Sequence, residues 1–515
     1  MASTPEICIN GDRAVQLSFR TRSSDGLNDI DSHGDGELSE IIRNCEIEHP
    51  DDTGFWSDER LRHILLRDRV LNELKRFTSR PETYIDNIRP IQDKKPSSQT
   101  YLKIFALLVL CGKVGDIGKF VKEQVSDQRL PVCRHEKRKG MFNLCATASP
   151  GTLLRCFEEW KTNEREHFEA MQWRVLVPYF DLDSKGHVQH YSFGDKTILP
   201  WCKSEHVLSS SNPSQNEGAY AQVNFVRIDT SSHGFSKILE AICLDDNQFA
   251  LKTLCANTFN DEPRFQNERD MLHRFNGLVQ DHLVTLLATF TFRSQYHFLF
   301  PYAEYDLDRY WSFKEPNPEM NMDTVQWVSK QCSGIMAAVD TIHEPKHLHH
   351  LTIKGYGRHG DIKPDNILWF CSSKDNKGIL VLSDLGLGAF HRDTSRSNIP
   401  NKDIPGVPGY RPPECDVEGG KTSRAFDIWT IGCLFLELVT WLLGGQKYIQ
   451  AFSDSRMSIY INGIQNNIFY ELKSMRDEEG YVAQVKTQVT QVSTPVENLP
   501  LNHFTITDTL YMAVD

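Results

Sequence analysis

At 515 residues the chain is too long for one ordinary domain, and roughly two to four are expected from such a length. Apolar residues at 39%, charged residues at 24% and a net charge of −12 describe a soluble globular protein. That acidic balance excludes nucleic acid or an anionic membrane as the default partner. No apolar run reaches membrane-spanning length: 104–111 and 435–443 are short and read as core. The first residues, Met-Ala-Ser-Thr-Pro-Glu-Ile-Cys, lack the basic and apolar regions of a secretory signal, so an intracellular protein, cytoplasmic or nuclear, is expected. The 13 cysteines are scattered, with no CxxC pair and no zinc-type spacing, and are expected to be reduced. Cys133 and His135 read as part of an ordinary surface loop.

In chain order, residues 1–52 are rich in Ser, Asp, Gly and Asn and bury too little apolar surface to order themselves, so they are expected to be disordered apart from a short extended piece at 14–19. From Ser57 the pattern turns helical. Leu61, Ile64, Leu65, Leu71 and Leu74 recur at helical spacing, with Ser57 as N-cap and Asp58 and Glu59 in the first turn. Residues 101–111 and 117–125 read as further helices broken by Gly112 and Gly115, and 158–173 as another. Residues 175–180 and 187–191 read as extended. No catalytic constellation stands out in 1–205, so 53–205 is expected to be a mainly helical region that docks or scaffolds.

Residues 209–216 read as a linker. Beyond it, 217–228 and 249–254 are strand-like, the second carrying Lys252 amid apolar neighbours. Residues 262–274 form a helix with Phe265, Met271 and Leu272 as apolar contacts and Glu268 able to face Lys252. Runs 283–290 and 297–300 complete a small sheet of about five strands. Val325, Val328, Cys332, Ile335, Val339 and Ile342 then mark a helix capped near Asp323. It leads to two runs, Arg-His-Gly-Asp-Ile-Lys-Pro-Asp-Asn-Ile-Leu-Trp-Phe at 358–370 and Ile-Leu-Val-Leu-Ser-Asp-Leu-Gly at 379–386. Together they predict a hairpin carrying a polar cluster. Asp361 can accept a hydroxyl proton, Lys363 can neutralise a transferring phosphoryl group, and Asn366 and Asp384 offer hard oxygen ligands suited to Mg2+.

These two runs resemble the catalytic loop and metal-binding motif of a eukaryotic protein kinase. The resemblance implies an α+β, two-lobed kinase-like fold at 210–480, with a small β-rich N-lobe and a mainly helical C-lobe, between the helical region and an irregular tail at 481–515. It implies ATP and Mg2+ as cofactors and protein substrates, with no nucleic acid and no membrane. By the same resemblance Asp361 and Lys363 are catalytic, Asn366 and Asp384 hold metal, Lys252 contacts phosphates, and Glu268 orients it. Gly218, Val223 and Ala250 would border the nucleotide, and Tyr302, in Phe-Pro-Tyr-Ala, would lie in the hinge. Lys363-Pro364 beside Asp361 implies Ser or Thr as acceptor.

The sequence also departs from the family pattern. The run at 218–223 keeps only the first glycine of G-x-G-x-x-G. Gly360 stands where many kinases carry arginine, which removes a partner for a phosphorylated Thr394, Ser395 or Ser397. Val407 replaces a threonine common in Ser/Thr kinases. Gly-Tyr-Arg-Pro-Pro-Glu at 409–414 closes the activation segment, and Asp427-Ile-Trp with Gly432 resembles the buried helix beneath the catalytic loop. No counterpart of the last helices, or of the arginine pairing with Glu414, is evident, so the C-lobe end is expected to be divergent, truncated or mis-spliced. The RHGDxKPDNILWF loop looks most like a filamentous-fungal group of serine/threonine kinases. The alternative is a pseudokinase or nucleotide-binding scaffold that acts by docking, a reading favoured by the eroded glycine loop, Val407 and the unfamiliar tail.

Overall fold

The computed structural model describes residues 36–90, 99–138, 141–147, 151–203, 221–241, 247–254, 261–275, 281–345, 355–372, 375–385, 389–392, 399–400, 408–417, 420–460, 463, 465–474 and 481–491. The chain divides into two compact units, one of residues up to 177 with 198–200, the other of 178–197 with 201 onward.

The first unit is built on the helix Leu102–Leu110, in which every residue but Lys103 is buried. A helix apolar on all sides is stable only as a central element, and other helices pack with it in one core: Leu38–Asn44, Asp58–Ile64, Arg67–Lys75, Glu82–Ile88, Ile117–Glu123 and Thr162–Met171. The Asp127 carboxylate accepts from the Leu102 and Ile104 amides at 2.8 and 2.9 Å, satisfying groups a helix start leaves unpaired. Ser57 caps its helix as the sequence predicts, accepting from the Arg60 amide at 3.3 Å. The helix expected to continue through Leu74 is instead two, Asp58–Ile64 and Arg67–Lys75.

Three features of this unit differ from the sequence reading. Regular structure is present before residue 52: the helix Leu38–Asn44 buries Leu38, Ile41 and Ile42, a short apolar face that a composition averaged over 1–52 hides. The strands β1 (Val132–Arg138) and β2 (Met141–Ala146) pair as an antiparallel hairpin, where a surface loop was expected around Cys133. The Gln172 side chain secures it, accepting from the Val132 amide at 2.7 Å and donating to its carbonyl at 2.9 Å. The helix expected from 158 starts at Thr162. The extended piece proposed at 14–19 lies outside the described residues.

The second unit is α+β. β3 (Gln189–Ser192), β4 (Ala221–Arg227), β5 (Gln248–Leu254), β6 (Ala288–Phe292) and β7 (Gln295–Pro301) form a five-stranded sheet in the order β3-β6-β7-β5-β4. The strand number matches the expectation but its membership does not, because β3 precedes the linker and joins the edge in parallel with β6. The helix Asp261–Phe275 lies against this sheet, with Phe265 5.0 Å from Phe298. The expected strand at 283–290 begins only at 288. Leu283 bridges instead to Leu382, and the carbonyl of His282 and the amide of Val284 bond Leu382.

The helix Met322–His343 forms as predicted, capped by Asn321, whose side chain accepts from the Thr324 amide at 2.9 Å; Asp323 lies in its first turn. β8 (Tyr305–Asp306) borders a hairpin of β10 (Ile367–Phe370) and β11 (Ile379–Leu382), and β9 (Gly355–Arg358) pairs with β12 (Ala389–Arg392). The helix Ala425–Ser455 kinks at Gly444 and Gly445, the latter at φ +69. Among the described residues it alone is long and apolar enough to cross a membrane, yet 61% of its apolar window is buried inside the unit, as in a core helix.

The tail is not irregular throughout. Residues Tyr470–Ser474 pair with Tyr481–Val485, and the helix Thr487–Gln491 brings Val489 onto Cys433, Phe452 and Phe469.

Candidate active site

The hairpin β10–β11 is formed as predicted, pairing Ile367 with Leu382 and Phe370 with Ile379. Its strands are apolar because both lie in the core, and its polar residues are displaced to the ends, where the chain turns. Ser383 ties the ends together, its amide and hydroxyl both donating to the Asn366 carbonyl, at 2.9 and 3.0 Å. Asp384 follows in the left-handed region at φ +59, a conformation costly for a side-chain-bearing residue and held here by its surroundings.

Two polar groupings result. In the first, the Asn366 amide nitrogen donates to the Asp361 carbonyl at 2.7 Å and to its Oδ2 at 2.9 Å, while Lys363 Nζ lies 3.1 Å from the same Oδ2. In the second, Lys252 Nζ bridges Glu268 Oε1 at 2.7 Å and Asp384 Oδ1 at 2.8 Å. Burial works against the Lys252 charge, but the two carboxylates hold its ammonium above the usual lysine range. Asp384, attached to the hairpin, and Lys252, on β5, thereby join the sheet to the polar loop. Glu268 is buried, so its ion pair is not an exposed one of negligible energy.

Of the predicted nucleotide-bordering residues, Val223 lies opposite Lys252 across β4–β5, and Ala250 lies two positions along on the same face. Tyr302 follows β7; its amide meets the Gln248 carbonyl at 3.4 Å and its ring meets Phe225 edge-on at 4.7 Å. Phe225 is opposite Ala250 and shares this face, although the sequence reading did not single it out. Alternation along β4 is the signal that could have found it. Gly218, Gly386, Val407, Thr394, Ser395 and Ser397 lie outside the described residues.

The support beneath the loop is Asp427, fully buried in the long helix. Its carboxylate accepts from the His359 amide and the Gly360 amide, each at 2.8 Å, and lies 2.8 Å from His343 Nε2. His359 Nδ1 receives the Asp361 amide at 3.3 Å, which leaves Nε2–H to donate to the Ser383 carbonyl at 2.9 Å. Gly360 sits at φ +83, so its lack of a side chain has a use that the sequence reading, concerned with the absent arginine, did not see. An L-residue there carries about 1–2 kcal/mol of backbone strain.

The glutamate and tail open in the sequence reading also find partners. Burial raises the Glu414 carboxyl pKa, and the Arg358 charge opposes that rise. A buried arginine, Arg456, does exist at the end of the long helix, but it pairs with Glu437 at 2.7 Å and lies 3.9 and 4.0 Å from the rings of Phe452 and Phe469. Tyr410 donates to the same Glu437 carboxylate. Asp416 is held by Arg411 at 2.9 Å and by the hydroxyls of Tyr460, at 2.6 Å, and Tyr470. The segment 408–417 is thus tied down by Glu437, Tyr460 and Tyr470.

No group of three or more His, Cys, Asp or Glu positioned for a metal occurs among the described residues. Asn366 and Asp384 offer hard oxygens beside the Asp361 and Glu268 carboxylates, a set that fits Mg2+ completed by phosphate and water rather than a metal caged by protein.

The profile described as the protein kinase domain matches residues 233–479. The chain is 26% identical over 238 residues to the probable serine/threonine-protein kinase mps1 of Dictyostelium discoideum, which covers 43% of this chain and 21% of that protein. It is 32% identical over 123 residues to cyclin-dependent kinase C-2 of Arabidopsis thaliana, 24% of this chain and 20% of that protein. It is 27% identical over 223 residues to the CTD kinase subunit alpha of Schizosaccharomyces pombe, 43% of this chain and 34% of that protein. The matched stretches span about a fifth to a third of the length of these relatives.

Proposed function

We propose that this chain, which belongs through residues 233–479 to the eukaryotic protein kinase superfamily, is an ATP- and Mg2+-dependent kinase acting on Ser and Thr hydroxyls of proteins. The observation that carries the reading is Lys252 bridging Glu268 and Asp384 while Lys363 and Asn366 converge on the Asp361 carboxylate. Lys252 binds the α- and β-phosphates and Glu268 fixes its position. Asp361 accepts the proton of the attacking hydroxyl, and Lys363 offsets charge on the transferring group. Asn366 and Asp384 hold Mg2+, which when bound neutralises phosphate charge. Gly218, Val223, Ala250 and Tyr302 border the nucleotide.

The finer likeness, to a filamentous-fungal group, rests on the loop at 358–370. The first unit, which has a core of its own, serves as a docking segment in an intracellular protein, and no nucleic acid or membrane is needed. Labelled phosphate from γ-labelled ATP and Mg2+ is expected on Ser or Thr of a generic protein substrate. Stabilisation by Mg2+ and ATP with no transfer favours the scaffold reading, and label on Tyr overturns the acceptor assignment.

A further inference from the structure

The hairpin of the first unit carries a cysteine pair that the phosphoryl-transfer site does not use. Cys133 on β1 and Cys145 on β2 are direct cross-strand partners. Their sulfurs lie 3.0 Å apart, inside ordinary non-bonded contact for sulfur, and each also approaches the other's carbonyl, at 3.6 and 3.4 Å. Side chains directly opposite in an antiparallel pair have Cβ atoms about 4.5–5.5 Å apart, close to the separation a disulfide needs, so bonding requires small side-chain rotations rather than a backbone shift.

The two sulfurs differ in access. Cys133 is half-buried, whereas Cys145 is 2% exposed. An oxidant in solution therefore meets Cys133 first, with Cys145 waiting behind it. Cys371, the exposed one among the described cysteines, is a useful contrast.

We propose that Cys133 and Cys145 form a thiol–disulfide modification site, closed by low-molecular-weight disulfides of the glutathione type. The Cys133 thiolate attacks one sulfur of oxidised glutathione, forming a mixed disulfide and expelling one glutathione thiolate. The Cys145 thiolate then attacks the Cys133 sulfur, the cross-strand S–S bond forms, and the second glutathione leaves. The two protons given up by the cysteines end on the two glutathiones, and the two electrons reduce the glutathione disulfide. Proximity drives the second step, because it is intramolecular between sulfurs already in contact. The first step is slow: burial, and then the neighbouring thiol, raise the Cys133 pKa and lower its thiolate fraction.

The test treats the folded full-length chain with oxidised glutathione, quenches with acid, alkylates under denaturing conditions and maps the peptides by mass. The expected result is that the peptide or linked peptides holding Cys133 and Cys145 are lighter by two hydrogen atoms, resist alkylation and are restored by dithiothreitol, while Cys371 carries glutathione. Cys145→Ser is expected to stop the reaction at a mixed disulfide on Cys133, and Cys133→Ser to leave Cys145 reduced. Two outcomes overturn the proposal: full alkylation of both cysteines in the wild-type chain while Cys371 is modified, or a glutathione retained on wild-type Cys133. Unlabelled Cys156 before denaturation verifies that both variants keep the fold, since that residue is buried.

Discussion

Lys252 is the residue that ties the Asp261–Phe275 helix to the end of the hairpin, its ammonium contacting the Glu268 and Asp384 carboxylates. Neutralising Glu268 keeps its shape and removes one of those charges. Glu268→Gln is therefore expected to lower kcat/KM for phosphate transfer by about tenfold or more, ~1.4 kcal/mol of transition-state stabilisation, and, because the pair it breaks is buried, to lower the melting temperature as well. A transfer rate equal to that of the wild-type chain contradicts this role. The ion pair was legible in the sequence only because the surrounding motifs named its members. Lysine and glutamate at such a separation carry no signal of their own, and it is the register of β5 against the helix that makes them meet. Gly360 shows the reverse: the sequence displayed it plainly, but its backbone conformation and its bond to Asp427 required coordinates.

The elements that hold the site are two long helices, one of which carries the buried ion pair of Glu437 with Arg456. Removing one member of such a pair leaves a buried charge uncompensated, so Arg456→Met is expected to destabilise the second unit by about 3–5 kcal/mol, seen as a lower midpoint in chemical denaturation. An unchanged midpoint contradicts this pair's part in the fold. In the first unit the equivalent element is the helix Leu102–Leu110, capped by Asp127, whose carboxyl burial pushes up to about 6. Because the folded chain binds this proton more tightly than the unfolded one, the contribution of Asp127 to stability is greatest below about pH 4 and is lost as pH rises through about 6. Over that window the wild-type chain is expected to lose up to ~3 kcal/mol of stability relative to Asp127→Asn. Hydrogen exchange of residues 102–110 in both proteins across that window measures it, and parallel profiles contradict the assignment. Neither the Asp127 cap nor Arg456 was visible in sequence, because each acts on a residue far along the chain.

Across the whole molecule, strong local periodicity was legible and long-range assembly was not. The helix Met322–His343 and the hairpin β10–β11 follow from apolar spacing alone. β3 did not, because nothing in residues 189–192 says that they pair in parallel with β6 beyond a linker. The hairpin β1–β2 was hidden by its charged composition, and the order of residues 36–52 by averaging over an acidic segment. The site was legible as a set of residue types in order, with Asp427 already expected in a buried helix beneath the loop, while the bonds of Asp427 to His343, His359 and Gly360 emerged only in three dimensions.

The central claim is that this assembled constellation transfers phosphate, with Asp361 receiving the proton of the attacking hydroxyl. It is tested most directly by single-turnover transfer from Mg2+-bound ATP to a protein substrate, comparing the wild-type chain with Asp361→Asn at matched nucleotide occupancy. The account predicts a loss of about 10²-fold or more in the transfer rate while nucleotide binding persists. Equal rates in the two proteins, or no transfer by the wild-type chain when nucleotide is bound, would contradict it.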